Sequence, residues 1–320
     1  MKTLLKIALA VFGTLAVLII CFVIFLAYAA KQPMVKDNYF EDVLTSQPLE
    51  QRYTAEGEFA VSSKIFESEN EKIGHHIVWY PAEMENGDNK ATYPLVVMAN
   101  GTGVKASKYQ PIFKHLASWG FIVVGNEDES SIDGISSAAS LDLMLNLNGD
   151  DTSIFYGKID IQNIGIAGHS QGGVGAINAV TAQENGTYHK TIYTASTPHL
   201  ALAEALKWEY AVSKIQIPYF MVAGTLQVDA GDGIEGSSNV GIAPLFSLKE
   251  NYAAISEQVE KIMARRVNTD HGDMLPYADG YMTAWFMYQL KGDSDAAKVF
   301  VGDDAEILSN ENWQDVQKNR

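Results

Sequence analysis

Residues 165–176 read GIAGHSQGGVGA, and the reading of this stretch decides the fold. An apolar run, NIGIAG, leads into it, and a segment from Gln171 to about Gln183 with helical character leaves it. Glycine inside a helix is unfavourable by about 1 kcal/mol relative to alanine, so Gly172, Gly173 and Gly175 need a reason other than helix formation. A sharp strand-to-helix turn supplies one. The residues two before and two after Ser170, Gly168 and Gly172, must then lack side chains that would collide. Gly173 and Gly175 are expected to bring the helix close to the sheet.

Outward from this turn, apolar strands alternate with helices. EFAVSSKIF and HHIVWY read as opening strands, and PLVVMAN as a strand buried on both faces. A helix is expected from about Lys105 to Trp119, then the strand FIVVGNED and a helix around SSAASLDLMLNL. After the central turn come the strands TIYTAS and IPYFMVAG. LKENYAAISEQVEKIMA reads as helical from the spacing of Leu248, Tyr252, Ile255, Val259 and Ile262, followed by a short strand, ARRVN. YMTAWFMYQL and SDAAKVFV are the expected last helices. Strands without internal polar alternation, separated by helices, predict an α/β fold with a mostly parallel central sheet flanked by helices.

GHSQG matches G-x-S-x-G in the strand-turn-helix context that pattern requires, which makes Ser170 the candidate nucleophile. His169 falls at the variable position and reads as structural. A serine hydroxyl needs a base within hydrogen-bond reach, itself oriented by a third group. Of the seven histidines, His75 and His76 fall on an early strand, His115 on a surface helix, His189 before a strand and His199 in a loop. His271 lies in the polar loop TDHGDM, late in the chain, in the order serine, acid, histidine. The acid is expected after IPYFMVAG. There Gln227 stands where a carboxylate is common, and Asp229 and Asp232 are the nearest candidates, Asp229 being the closer. Asp232, between Gly231 and Gly233, reads as a loop former. The loop GTGV after PLVVMAN suits an oxyanion hole of backbone N–H groups, with Thr102 and Gln171 as donors. Asn100-Gly101-Thr102 and Asn185-Gly186-Thr187 both spell glycosylation sequons, and the first reads as accidental because a glycan there would block the site.

With YPLVVMANGTG, KHLASWGFIVVGNED, GHSQGG, IPYFMVAGT and DHGDM followed by ADGYMTAWFMYQLKGD, the chain resembles the α/β-hydrolase superfamily over roughly residues 58 to 300. Within it the chain is similar to dienelactone hydrolases, chlorophyllase-like proteins and bacterial cutinase-type polyester hydrolases. The resemblance implies Ser170 as nucleophile, His271 as base and the amides of Thr102 and Gln171 as oxyanion donors. Asn100 departs from the family pattern, which more often has histidine there.

The chain has 320 residues, 47% of them apolar, and a net charge of −16. That charge argues against nucleic acid or an anionic membrane surface as partner. The single cysteine, Cys21, excludes intramolecular disulfides and cysteine-rich zinc sites. From Ile7 to Ala30 no residue is charged, a stretch able to cross a hydrocarbon core that needs about 20 residues. Residues 1–30 are therefore expected to be a membrane anchor with the domain outside the cell. Cleavage as a signal peptide at the Ala27-Tyr28-Ala29 pattern, giving a secreted protein, is the alternative. Residues 31–55, with Pro33 and Pro48, read as a linker, and residues 56–320 as the hydrolase domain.

The expected function is a serine ester hydrolase acting on a small or lipid-like ester through an acyl-enzyme, without metal or organic cofactor. The loop from Gln227 to Gly241 lacks the spacing of a calcium loop. A peptidase or acyltransferase would use the same residues, and a membrane-tethered binding protein that kept the fold is the alternative from another class. The segment from Thr197 to Trp208 is a candidate pocket wall.

Overall fold

The apolar segments that carry no alternation form the middle of one sheet. In the computed structural model, which describes residues 32–320, the strands are β1 (Val61–Glu67), β2 (His75–Pro81), β3 (Tyr93–Ala99), β4 (Ile122–Asn126), β5 (Ile159–His169), β6 (His189–Ala195), β7 (Tyr219–Gly224), β8 (Lys261–Arg266) and β9 (Trp313–Lys318). They lie in the order β1-β2-β4-β3-β5-β6-β7-β8-β9. From β4 to β8 every neighbouring pair is parallel, whereas β1, β2 and β9 join antiparallel at the edges. The segment Ile7–Ala30, including Cys21, lies outside the described residues. Among the described residues no helix is long and apolar enough to cross a membrane.

The helices are α1 (Pro48–Thr54), α2 (Gln110–Ser118), α3 (Ile135–Gly149), α4 (Gln171–Ala182), α5 (Leu200–Ala205), α6 (Gln227–Ala230), α7 (Leu245–Ala254), α8 (Met274–Tyr277), α9 (Asp279–Lys291), α10 (Ser294–Phe300) and α11 (Glu306–Ser309). Side chains of a strand alternate between faces, and β3 feeds two cores. Val96 and Met98 pack with Phe113 and Leu116 of α2 and Trp285 and Phe286 of α9. Leu95, Val97 and Ala99 pack with Leu141 and Met144 of α3 and Ala176 and Ile177 of α4.

Five expectations differ from the structure. The helix read across Leu248 to Ala264 ends at Ala254, and the chain re-enters the sheet at Lys261, where Ile262 and Met263 pair with Phe220 and Met221 of β7. The helical spacing of apolar residues there is overridden by burial of the segment in the sheet. Lys261 is fully buried, its ammonium donating to the carbonyls of Tyr252 (3.0 Å) and Ile255 (2.8 Å) at the end of α7 and to Glu257 (2.7 Å). Beyond the expected last helices the chain adds α11 and the edge strand β9.

From Val35 onward the stretch expected to be a linker belongs to the same compact unit as the rest of the domain. Tyr39 and Tyr53 are buried, and the Glu306 carboxylate accepts the N–H groups of Leu49 and Glu50 at the start of α1, both at 2.8 Å. His115, expected on a surface helix, is also buried. Its Nδ1 lies 2.6 Å from Asp279, which accepts the Tyr39 hydroxyl at 2.5 Å. Lastly, Gly173 and Gly175 bring α4 close to loops rather than to the sheet. A Cβ on Gly173 would stand 2.2 Å from the Thr197 hydroxyl, and one on Gly175 2.3 Å from the Ser131 carbonyl.

Candidate active site

Ser170 sits at the junction of β5 and α4 with φ 59° and ψ −127°, a left-handed φ that a side-chain-bearing residue adopts only under constraint. The close packing around it supplies that constraint. A Cβ on Gly168 would stand 2.0 Å from the Gly172 carbonyl oxygen, and one on Gly172 would stand 2.2 Å from the Ala99 carbonyl oxygen at the end of β3. A side chain at Gly168 would push the start of α4 away from β5, and one at Gly172 would push it away from the end of β3. Gly168 and Gly172 of the quoted stretch permit this approach.

The structure brings Ser170, His271 and Asp229 together. His271 follows β8 and Asp229 lies in α6 after β7, so the three meet at the carboxyl ends of parallel strands, where ligands bind in open α/β sheets. Asp229 is fully buried and, when ionised, can only accept, so His271 Nδ1–H donates to its Oδ1 at 2.6 Å. That tautomer leaves Nε2 as the acceptor for the Ser170 hydroxyl, 2.8 Å away. Burial works against the charge on Asp229. The hydrogen bond and charge of His271, then the Ser196 hydroxyl and the Gly224 N–H, outweigh it and hold the carboxyl below the usual carboxylate range. Asp232, by contrast, is exposed and turns back on its own loop, accepting from the Ile234 N–H at 3.0 Å and from the Ser237 hydroxyl.

Thr102 and Gln171 flank the same serine. Gln171 opens α4, so its N–H has no partner within the helix, and the positive end of the helix dipole faces the site. A Cβ on Gly101 would stand only 3.7 Å from Ser170 Cβ, which places the loop carrying Thr102 directly over the serine. The turn is held on both sides of Thr102, by Val104 N–H to Gly101 O at 3.1 Å and Gly103 N–H to Glu129 O at 2.8 Å. Asn100 supports it from below. Its amide donates to the carbonyls of Asn126 (2.6 Å) and Asp128 (2.7 Å), and its Oδ1 accepts the Tyr109 hydroxyl at 2.5 Å. With 1% of its surface exposed, Asn100 cannot carry a glycan in the folded protein. His169 is buried, and burial first, then the neighbouring His271, lowers its pKa and keeps it neutral. Its Nε2–H donates to the His271 carbonyl at 2.7 Å.

Sequence reasoning missed two residues here. Ser196, at the end of β6, is buried and donates its hydroxyl to Asp229 Oδ2 at 2.5 Å, beside the Gly224 N–H at 2.6 Å. Asp270, next to His271, accepts backbone N–H groups from two loops. The only signal in the sequence was adjacency, Ser196 closing a strand and Asp270 preceding the histidine. Among the described residues no group of three or more His, Cys, Asp or Glu side chains is arranged to hold a metal ion.

A cleft of about 690 Å³ opens between α5, α7 and the loop 235–240, lined by His199, Leu200, Leu202, Val240 and Phe246 with Glu204, Glu235 and Glu250 at its edge. Residues 199–202 and Glu204 of the expected pocket wall line it, and Trp208 does not. The wall of the cleft is tied by backbone hydrogen bonds to the segment that carries Asp229. His199 N–H donates to Ile242 O at 2.8 Å, Ile242 N–H to Val228 O at 2.8 Å, and Ala243 N–H to Asp229 O at 3.0 Å.

The family model described as PET hydrolase-like matches residues 46–234, more than half of the chain. The match spans Thr102, Ser170, Gln171 and Asp229 and stops short of His271. No curated protein matches the chain.

Proposed function

Because the chain belongs to the PET hydrolase-like family, a family of serine carboxylic ester hydrolases, we propose that it cleaves its ester through an acyl-enzyme on Ser170. The observation that carries this reading is the continuous chain of hydrogen bonds from Ser170 through His271 to Asp229. As the Ser170 oxygen bonds to the ester carbonyl carbon, His271 Nε2 takes the hydroxyl proton, and Asp229 stabilises the imidazolium that results. The N–H groups of Thr102 and Gln171 receive the charge that develops on the carbonyl oxygen. His271 then gives its proton to the departing alcohol oxygen as the carbon–oxygen bond breaks. In the second half, His271 removes a proton from water, whose oxygen attacks the acyl carbon. The carboxylic acid leaves as Ser170 regains its proton.

The substrate in this reading is a small or lipid-like ester whose apolar part rests in the cleft beside α5. The apolar side chains of Leu200, Leu202, Val240 and Phe246 support it. The edge of that cleft carries carboxylates, so esters with a free carboxylate near the apolar group are poor substrates. The apolar segment Ile7–Ala30 holds the enzyme at the cell membrane with its domain outside. The full-length protein then travels with membranes, and recovery of a shortened soluble form identifies a cleaved signal instead.

The test is reaction with a fluorophosphonate followed by a series of p-nitrophenyl esters of increasing acyl length. Labelling at Ser170, its loss in Ser170→Ala, and ester turnover that depends on acyl length support the reading. A folded protein that neither labels nor turns over any ester is a binding protein that kept the fold.

A further inference from the structure

We infer that Asp270 is a positioning residue that sets the acid and the base against each other, an inference that rests on the Ser170–His271–Asp229 reading. A single oxygen, Oδ1, accepts the backbone N–H groups of His271 (2.9 Å), Val228 (2.9 Å) and Asp229 (3.2 Å). Two of these three donors belong to the residues whose side chains form the ion pair. They reside in different loops, one after β7 and one after β8. Asp270 therefore links, through one atom, the peptide that carries the acid and the peptide that carries the base.

The local structure depends on this link. Helix α6 is only four residues long, and Leu226, the residue before it, supplies no capping side chain. The first N–H groups of a helix have no partner inside it, and a single turn is not stable alone. Asp270 provides the missing acceptor from outside. On the other side, it caps the turn His271–Asp273 that starts with the base. The stems of the two loops have their own ties, with Thr225 N–H and Leu226 N–H donating to Thr269 O (2.9 and 3.1 Å) and Asn268 N–H to the Thr225 hydroxyl (2.9 Å). Those ties keep the loops paired, whereas Asp270 is the contact at the residues that bear the working side chains. With His169 Nε2–H holding the His271 carbonyl, the base is fixed at both ends of its own backbone.

A residue that only stabilises a loop affects how much protein folds, whereas a positioning residue affects the rate at each folded site. Rates are therefore normalised to sites labelled by a fluorophosphonate. Misplacing a reacting group by about 1 Å can cost about 100-fold in rate, so Asp270→Ala is expected to lower kcat per labelled site about 10- to 100-fold with KM near that of the unaltered enzyme. Asp270→Asn retains an oxygen at the Oδ1 position and should return kcat to within about 5-fold. The proton shared by His271 Nδ1 and Asp229, observed downfield by NMR, should move in Asp270→Ala and be restored in Asp270→Asn. Unaltered kcat per labelled site in Asp270→Ala, or Asp270→Asn as slow as Asp270→Ala, overturns the inference. If Asp270→Ala does not fold, Asp270→Glu, which keeps the charge and displaces the acceptor by one methylene, should show the loss in kcat. An unaltered kcat there overturns the inference equally. A wild-type protein that does not label at all overturns the acyl-enzyme reading and takes this inference with it.

Discussion

Asp229 and His271 meet across the tips of the adjacent parallel strands β7 and β8, with Oδ1 and Nδ1 2.6 Å apart although 42 residues separate them in the chain. The pair depends on a carboxylate that is ionised while fully buried.

Replacing that carboxylate by an amide leaves the shape and removes the charge that fixes the imidazole tautomer. Asp229→Asn should lower kcat about 10³- to 10⁴-fold with little change in KM, by the behaviour of serine-histidine-aspartate enzymes in general. Asp232→Asn, at an exposed loop residue, should stay within about 2-fold, as surface changes usually do. Steady-state kinetics of both variants decide the assignment. A damaging Asp232→Asn would move the acid to the loop.

Ser196 is the support of the acid itself. A hydrogen bond to a charged group contributes about 1.5–3 kcal/mol, so Ser196→Ala should lower the urea-unfolding free energy by about that much. The carboxyl pKa of Asp229 is depressed partly by this hydroxyl, and the variant should raise it. A depressed carboxyl contributes stability that is present above its unfolded value and is lost as pH falls through the folded one. The acid-dependent loss of stability should therefore be smaller in Ser196→Ala and complete at a higher pH, as read from unfolding curves across the acidic range.

A methyl group at residue 172 would stand 2.2 Å from a backbone oxygen of β3, an atom that cannot swing away. Gly172→Ala should destabilise the fold by at least about 1–3 kcal/mol, the usual cost of overpacking, and should abolish fluorophosphonate labelling. Gly272→Ala is the control, since a Cβ there meets nothing within 4 Å. Thermal melting and labelling of the two variants side by side check the contrast.

His115 gives a second pH dependence, of the opposite sign. Burial disfavours its charge, but Asp279, whose carboxylate it touches, then the Ala55 carbonyl and the more distant Glu56, outweigh burial and raise its pKa above 6.5. The Tyr39 hydroxyl and Thr283 complete its surroundings. A histidine with a raised folded-state pKa contributes stability that is complete below the unfolded value and is lost as pH rises through the folded value. Urea midpoints should therefore fall from pH 6 upward in the wild type, and this component of the fall should be absent in His115→Gln.

The same contacts bear on where the domain begins. A chain starting at Gln32 keeps Tyr39 on Asp279 and Glu50 beside Trp313 Nε1, 2.8 Å away, and should fold and hydrolyse esters. A chain starting at Glu56 leaves Asp279 and Glu306 buried without these partners, and it should be recovered insoluble or with a clearly lower melting temperature.

What the sequence determined by itself was whatever depends on neighbours along the chain. The apolar runs from PLVVMAN to IPYFMVAG required a buried parallel sheet, because only strands covered on both faces lack polar alternation. The glycines around Ser170 required a turn with close backbone approach. Both properties are local, set by the size of side chains within a few residues. The tertiary structure decided what depends on partners distant in the chain. It set the end of the helix at Ala254, where packing against β7 draws Lys261–Arg266 into the sheet. It bound residues 35–55 to the domain through carboxylates at Asp279 and Glu306. It also set which aspartate meets His271 and placed Ser196 and Asp270 around that pair. Each of these rests on burial and hydrogen bonding between segments tens to hundreds of residues apart, and no spacing within the sequence encodes such a distance.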